Sequence, residues 1–146
     1  MRIKNILEKK GNKVYSIHQN QPVYEAIKEL VKQNIGALLV HDDDHQIVGI
    51  LSERDILREG SQNCEKLHVT PIKEVMTVDL IICRPEDEIT YAKQVMVKNR
   101  IRHLPIFDEG KIVGVVSMRD VVEQELKEFT VENRYLRDYI EGKYPA

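Results

Sequence analysis

Gly49-Ile50-Leu51-Ser52-Glu53-Arg54-Asp55 returns at an offset of 65 positions as Gly114-Val115-Val116-Ser117-Met118-Arg119-Asp120. Both stretches place Gly, Ser, Arg and Asp at the same four places. Each reads as a strand that runs into a helix, because apolar β-branched residues give way to a Ser with an Asp three positions on. That pair is close to a capping box, in which the hydroxyl and the carboxylate each satisfy a free backbone N–H of the first turn. Upstream the match continues at an offset of 66: Ala26 falls on Ala92, Lys32 on Lys98, Ile35 on Ile101, Leu38 on Leu104 and Asp42 on Asp108. Ile47-Val48-Gly49 falls on Ile112-Val113-Gly114. A register held over about 40 residues is the length of a structural repeat.

Both copies show the same order of elements. The extended segments Val14-Tyr15-Ser16-Ile17 and Leu80-Ile81-Ile82-Cys83 carry the side chains that strands favour. After Pro22 or Pro85 comes an amphipathic helix, with Val23, Ala26, Ile27, Leu30 and Val31 on one stripe. Its counterpart keeps Ile89, Ala92, Met96 and Val97. Two short strands follow, 37–40 and 47–51 in the first copy and 103–107 and 112–116 in the second, each pair joined by an acidic turn. A helix then starts after Ser52 or Ser117. The expected fold is α+β: two βαββα units, each too small to be stable alone, packed as one body about an approximate two-fold axis. The expected divisions are a helical lead-in at 1–13, repeats at 14–58 and 73–122, and a linker at 59–72 containing Gly60, Ser61 and Pro71. A long C-terminal helix fills 123–146. Its stripe of Val122, Leu126, Phe129, Leu136, Tyr139 and Ile140 either packs on its own domain or forms a dimer contact.

Composition narrows the function. Of 146 residues, 42% are hydrophobic and 32% charged, as in a globular chain with a core, and the net charge of −2 supplies no basic field for nucleic acid. No apolar run is long enough to span a membrane, and two cysteines do not make a secreted disulfide scaffold. The expectation is a cytoplasmic protein. His41-Asp42-Asp43-Asp44-His45 has metal-ligand residue types, but its counterpart Phe107-Asp108-Glu109-Gly110 has no His, and acidic residues are ordinary turn formers. Nothing pairs a nucleophile with a base, so no enzyme activity is expected. Lys9-Lys10 reads as a solvated helix end.

Capping accounts for the repeated Ser and Asp but not for Arg54 and Arg119. A cation in the first helical turn opposes the macrodipole, and finding it twice suggests an anion held jointly by helix N-terminus and guanidinium. With the repeat, the paired Gly-x-x-Ser-x-x-Asp junctions, Val75-Met76-Thr77 and Ile101-Arg102-His103-Leu104-Pro105-Ile106, the chain resembles a tandem pair of CBS domains, or Bateman module, of the small stand-alone bacterial type. The resemblance implies a non-catalytic regulatory module with two inter-repeat clefts for adenine nucleotides. AMP is the first candidate, with ATP, ADP, NAD or S-adenosylmethionine as alternatives. It implies a homodimer that passes ligand state to an effector protein; a ligand-free dimerisation or scaffold module stays open. The Asp takes the ribose hydroxyls, the Ser and Arg approach phosphate, and apolar groups hold adenine. Carried onto this chain, one cleft combines Ser52, Arg54 and Asp55 with Thr77, Ile81, Ile101, Arg102 and His103. The other combines Ser117, Arg119 and Asp120 with Tyr15, Ile35, Gly36 and Ala37. Arg102 and His103 are expected to make the first cleft the better nucleotide site, since the second has Gly36 and Ala37 at those places and suits a bulkier dinucleotide or no ligand.

Overall fold

A computed structural model describes residues 1–11 and 13–142 of the chain. Helix α1 (Ile3–Lys10) leads into β1 (Ser16–His18), α2 (Val23–Gln33), β2 (Ala37–His41), β3 (Ile47–Ser52) and α3 (Glu53–Asn63). After two 3₁₀ turns, Cys64–Lys66 and Ile72–Glu74, come α4 (Ile89–Asn99), β4 (His103–Asp108), β5 (Lys111–Ser117) and α5 (Met118–Ile140). Strand β2 pairs parallel with β1 and antiparallel with β3, while β4 and β5 form an antiparallel pair. The first four residues of β2 are all buried, so it lies inside the body rather than on a face. The linker expected at 59–72 is helical at its start, because α3 continues through Gly60 and Ser61.

The strand expected at 80–83 does not form. Cys83 alone pairs with Ile106, donating to the Pro105 carbonyl at 3.2 Å and accepting from the Phe107 N–H at 2.8 Å. The reason lies across the ladder. In the first repeat Leu39 N–H donates to the Tyr15 carbonyl at 3.2 Å. The equivalent of Leu39 is Pro105, which has no N–H, so Ile81 loses its ladder bond and the edge strand shrinks to one bridge.

Each repeat has its own core, and each core is completed by the other repeat's lead-in. Ile3 and Ile6 of α1 are buried with Ile89, Met96, Leu104 and Ile106 of the second repeat. Ile72 is buried with Val23, Leu30, Leu38 and Leu51 of the first, and Val75 and Met76 pack beside it. The backbone bonds repeat the exchange. Ile3 N–H donates to Asp87 O and Ile72 N–H to Gln21 O, both at 2.9 Å; Ile89 N–H reaches Met1 O at 3.0 Å and Val23 N–H reaches Thr70 O at 2.9 Å. Burying one isoleucine side chain is worth about 1.5–3 kcal/mol. The lead-ins therefore tie the repeats together more directly than a linker would.

The expected final helix of the second repeat and the expected C-terminal helix are a single element, α5. Val121 and Gln124 are buried, and Lys93 Nζ meets Glu125 Oε1 at 2.6 Å, so the first turns pack on α1 and α4. Beyond them Leu126, Phe129, Leu136, Tyr139 and Ile140 are exposed. The start of the helix covers its own domain, as one of the two expected readings had it, and its far end carries an uncovered apolar stripe. Tyr144 lies outside the described residues.

Candidate functional site

The strand–helix junctions do what their spacing predicts. Ser52 Oγ accepts from the Asp55 N–H at 3.3 Å, and Asp55 Oδ2 accepts from the Ser52 N–H at 2.9 Å. Ser117 and Asp120 repeat this at 3.1 and 2.8 Å. Strand glycines precede both, and what approaches them is protein. A Cβ on Gly49 would stand 2.9 Å from the Thr77 carbonyl oxygen and one on Gly114 would stand 2.8 Å from Leu7. The bare backbone of Gly49 lets the second lead-in pair with β3, through Ile50 and Thr77 bonds of 2.9 Å in both directions.

Two clefts open between the repeats. The first, of about 690 Å³, is lined by all eight residues assigned to it, with Ser52, Arg54 and Asp55 facing Thr77, Ile81, Ile101, Arg102 and His103. The second, of about 780 Å³, is lined by all seven of its own, with Ser117, Arg119 and Asp120 facing Tyr15, Ile35, Gly36 and Ala37. Asp55 and Asp120 therefore stand in different clefts.

The residues on which the expected contrast rested do not separate the clefts. Arg102 and His103 line both, as do Gly36 and Glu53. The space in front of Gly36 is the cause. A Cβ there would lie 2.6 Å from Glu53 Oε1 and 2.8 Å from His103 Nε2, so the carboxylate and imidazole come up against bare backbone and form a common wall. Burial holds the His103 imidazole below its ordinary value. Glu53 and Asp120 oppose this; Lys10 and Arg102 add to it.

The junction arginines have partners already. Arg54 donates to the Arg100 carbonyl at 3.2 Å, across the repeat boundary, and Arg119 pairs with Glu123 at 3.0 Å. Lys10 is not the solvated helix end its neighbours suggested. Its ammonium donates to Asp120 Oδ2 at 2.7 Å and to the Val115 carbonyl at 2.8 Å. Burial pushes the Asp120 carboxyl up, but the bonds from Lys10 and Ser117 and the Lys10 charge together bring it below the usual carboxylate value. The cation at Asp55 is more distant: Arg58 lies 3.8 Å from its Oδ1, and Thr77 Oγ1 lies 3.4 Å from the same oxygen. Sequence reasoning missed Lys10, Glu53 and Arg100. One signal for Lys10 was present, since Ile3-Lys4 matches Ile72-Lys73 at an offset of 69 and so marks α1 as a second lead-in.

The histidine turn is a hydrogen-bonded cluster. His18 Nε2 meets Asp43 Oδ1 at 2.7 Å, and the His41 ring lies 5.6 Å from His18 and 5.1 Å from His45. Among the described residues, no three His, Cys, Asp or Glu side chains converge as metal ligands, and no helix is long and apolar enough to cross a membrane.

The CBS domain model matches residues 4–61 and 72–127. The mitochondrial CBS domain-containing protein CBSX3 of Arabidopsis thaliana is 36% identical over 126 residues, which cover 84% of this chain and 61% of that protein, so the chain spans less than two thirds of that relative. A CBS domain protein from Pyrobaculum aerophilum complexed with AMP superposes with a TM-score of 0.72 at 27% identity, covering 82% of this chain and 89% of that one. The CBS domain pair of protein MJ0100, in complex with 5′-methylthioadenosine and S-adenosyl-L-methionine, superposes with a TM-score of 0.77, also at 27% identity, covering 88% and 98%.

Proposed function

This chain belongs to the CBS domain family, and from that premise we propose that it is a non-catalytic regulatory module that binds adenine nucleotides in its inter-repeat clefts. One observation carries the reading: in the first cleft, the Asp55 carboxylate of one repeat faces Thr77, Ile101 and Arg102 of the other. A cis-diol donating to Asp55 Oδ1, whose contacts are the longer ones, forms charge-assisted bonds worth about 1.5–3 kcal/mol each. Ile81, Ile101 and Pro105 supply apolar surface for a purine, and Arg54, Arg58 and Arg102 supply cations for phosphate. The structural neighbours with AMP and with methylthioadenosine and S-adenosylmethionine support the adenosine class.

A ligand seated there touches both repeats and therefore stabilises one arrangement of them relative to others. The far end of α5 gives that change an outlet, since the exposed Phe129, Leu136, Tyr139 and Ile140 suit a second copy of the chain and the resulting homodimer suits an effector protein. The test is a melting screen with AMP, ADP, ATP, NAD, S-adenosylmethionine and GMP. Adenosine compounds are expected to raise the melting temperature and GMP to leave it unchanged. A screen in which no adenosine compound shifts the transition at millimolar concentration refutes the reading. Light scattering before and after deletion of residues beyond Gln124 tests the dimer, which the deletion is expected to abolish.

A further inference from the structure

In the first cleft the second lead-in passes in extended form beside β3. Thr77 N–H donates to the Ile50 carbonyl at 2.9 Å, and its hydroxyl lies 3.4 Å from Asp55. In the second cleft the equivalent acceptors are the Val115 carbonyl and Asp120, but the lead-in there is helix α1, and among the described residues no backbone N–H of that lead-in meets them. The Lys10 ammonium stands on the same two groups, 2.8 Å from the Val115 carbonyl and 2.7 Å from Asp120, where it meets Oδ2, the oxygen that also accepts from the Ser117 N–H. A cation on a long stem thus serves the carbonyl and the carboxylate that an amide and a hydroxyl serve in the first cleft.

We infer that Lys10 sets the ligand preference of the second cleft, which takes its ligand through phosphate rather than through a ribose diol. The inference rests on the adenine-nucleotide reading above and deepens it. Three consequences of the geometry carry it. The Asp120 charge is balanced before any ligand arrives, so ribose hydroxyls meet a carboxylate whose charge an ammonium already shares and form weaker charge-assisted bonds. The Lys10 side chain is 41% exposed on a flexible stem, and its two bonds leave a third N–H that can point into the cleft. Around it, Lys10, Lys13, Arg102 and Arg119 stand against Glu53 and Asp120, two positive charges in excess. In the first cleft four arginines face Glu53, Asp55 and Asp79, an excess of one. A phosphate entering the second cleft gains Lys10 and its neighbours. A neutral nucleoside gains none of these cations and finds a carboxylate whose charge Lys10 already offsets.

Calorimetric titration with AMP and adenosine tests this in an Asp55→Ala background, which cripples the first cleft and leaves the second to report. With Lys10 present, AMP is expected to bind about tenfold or more tightly than adenosine, as a close ion pair allows. Lys10→Thr, which restores the hydroxyl of the other cleft, is expected to bring the two within about threefold by weakening AMP and strengthening adenosine. Lys10→Met removes the charge while keeping the stem, and is expected to weaken AMP alike should the Thr variant fold poorly. A preference for AMP that survives both substitutions overturns the inference. So does an Asp55→Ala protein that binds neither ligand while the wild type binds AMP, an outcome that leaves the proposed function standing. A wild type that binds neither ligand overturns both.

Discussion

Replacing Asp55 by Ala separates a capping residue from a ligand-binding one, because the two roles use different oxygens. Oδ2 is committed to the protein, accepting from the Ser52 N–H at 2.9 Å and from Ser52 Oγ at 3.1 Å. Oδ1 has only the contacts at 3.4 and 3.8 Å and is the oxygen open to a diol. Losing Oδ2 removes half of the capping box, while Ser52 Oγ still accepts from the backbone N–H of residue 55. Cap substitutions of this kind cost about 0.5–2 kcal/mol, and the lower half of that range fits a cap only half removed. Losing Oδ1 removes a charge-assisted bond of about 1.5–3 kcal/mol, which corresponds to roughly tenfold to a hundredfold in affinity for AMP. Asp55→Asn keeps one neutral acceptor and is expected to fall between. Urea denaturation reads the first quantity and calorimetry the second. Comparing AMP with its 2′,3′-dideoxy analogue then isolates the diol: the analogue is expected to bind wild type and Asp55→Ala alike. If the stability falls by the capping amount while AMP affinity holds, Asp55 is a cap and nothing more.

Other outcomes follow from the wall and the exchanged lead-ins. Gly36→Ala forces the Glu53 carboxylate and the His103 ring to move by several tenths of an ångström, and is expected to cost about 1–3 kcal/mol in urea denaturation and to weaken nucleotide binding at both clefts together. Loss at one cleft alone refutes the shared wall. Ile3→Ala and Ile72→Ala each empty a fully buried site and are expected to cost about 2–5 kcal/mol. Their hydrogen-exchange signatures should cross, with Ile3→Ala loosening β4 and β5 and Ile72→Ala loosening β2 and β3. His103 is held neutral by burial, so as pH falls below its ordinary value of 6.5 the unfolded chain takes up the proton first and stability drops toward the lower folded value. His103→Gln is expected to flatten the decline of the urea midpoint between pH 7.5 and 5.5. A decline as steep as that of wild type assigns it to other groups, His41 first, whose value burial also lowers.

What was legible in the sequence was local or repeated. Ser52 with Asp55 and Ser117 with Asp120 are three residues apart, so their spacing alone predicted the caps that form. The resemblance to tandem CBS domains placed the eight and seven residues that line the clefts, and the repeat carried each junction in one half to its counterpart in the other. What escaped depended on partners far along the chain. Leu80-Ile81-Ile82-Cys83 has strand composition, yet the donor it lacked was decided by Pro105. Lys10 looked like a solvated charge among its neighbours and found its acceptor 110 residues away. Arg102 and His103 belong to one repeat by sequence but line both clefts, and the bare backbone of Gly36 in the other repeat is what lets the His103 ring come up between them. That is a property of the closed pair and of neither repeat alone.

The claim that a nucleotide sits between the repeats is tested most directly by following backbone amide resonances while AMP is added to the wild-type protein. The expected result is saturable shifts, with a midpoint below millimolar AMP, at Ser52 and Asp55 of one repeat and at Thr77, Ile101 and Arg102 of the other, all along one binding curve. Shifts confined to one repeat, or none at millimolar AMP, would contradict it.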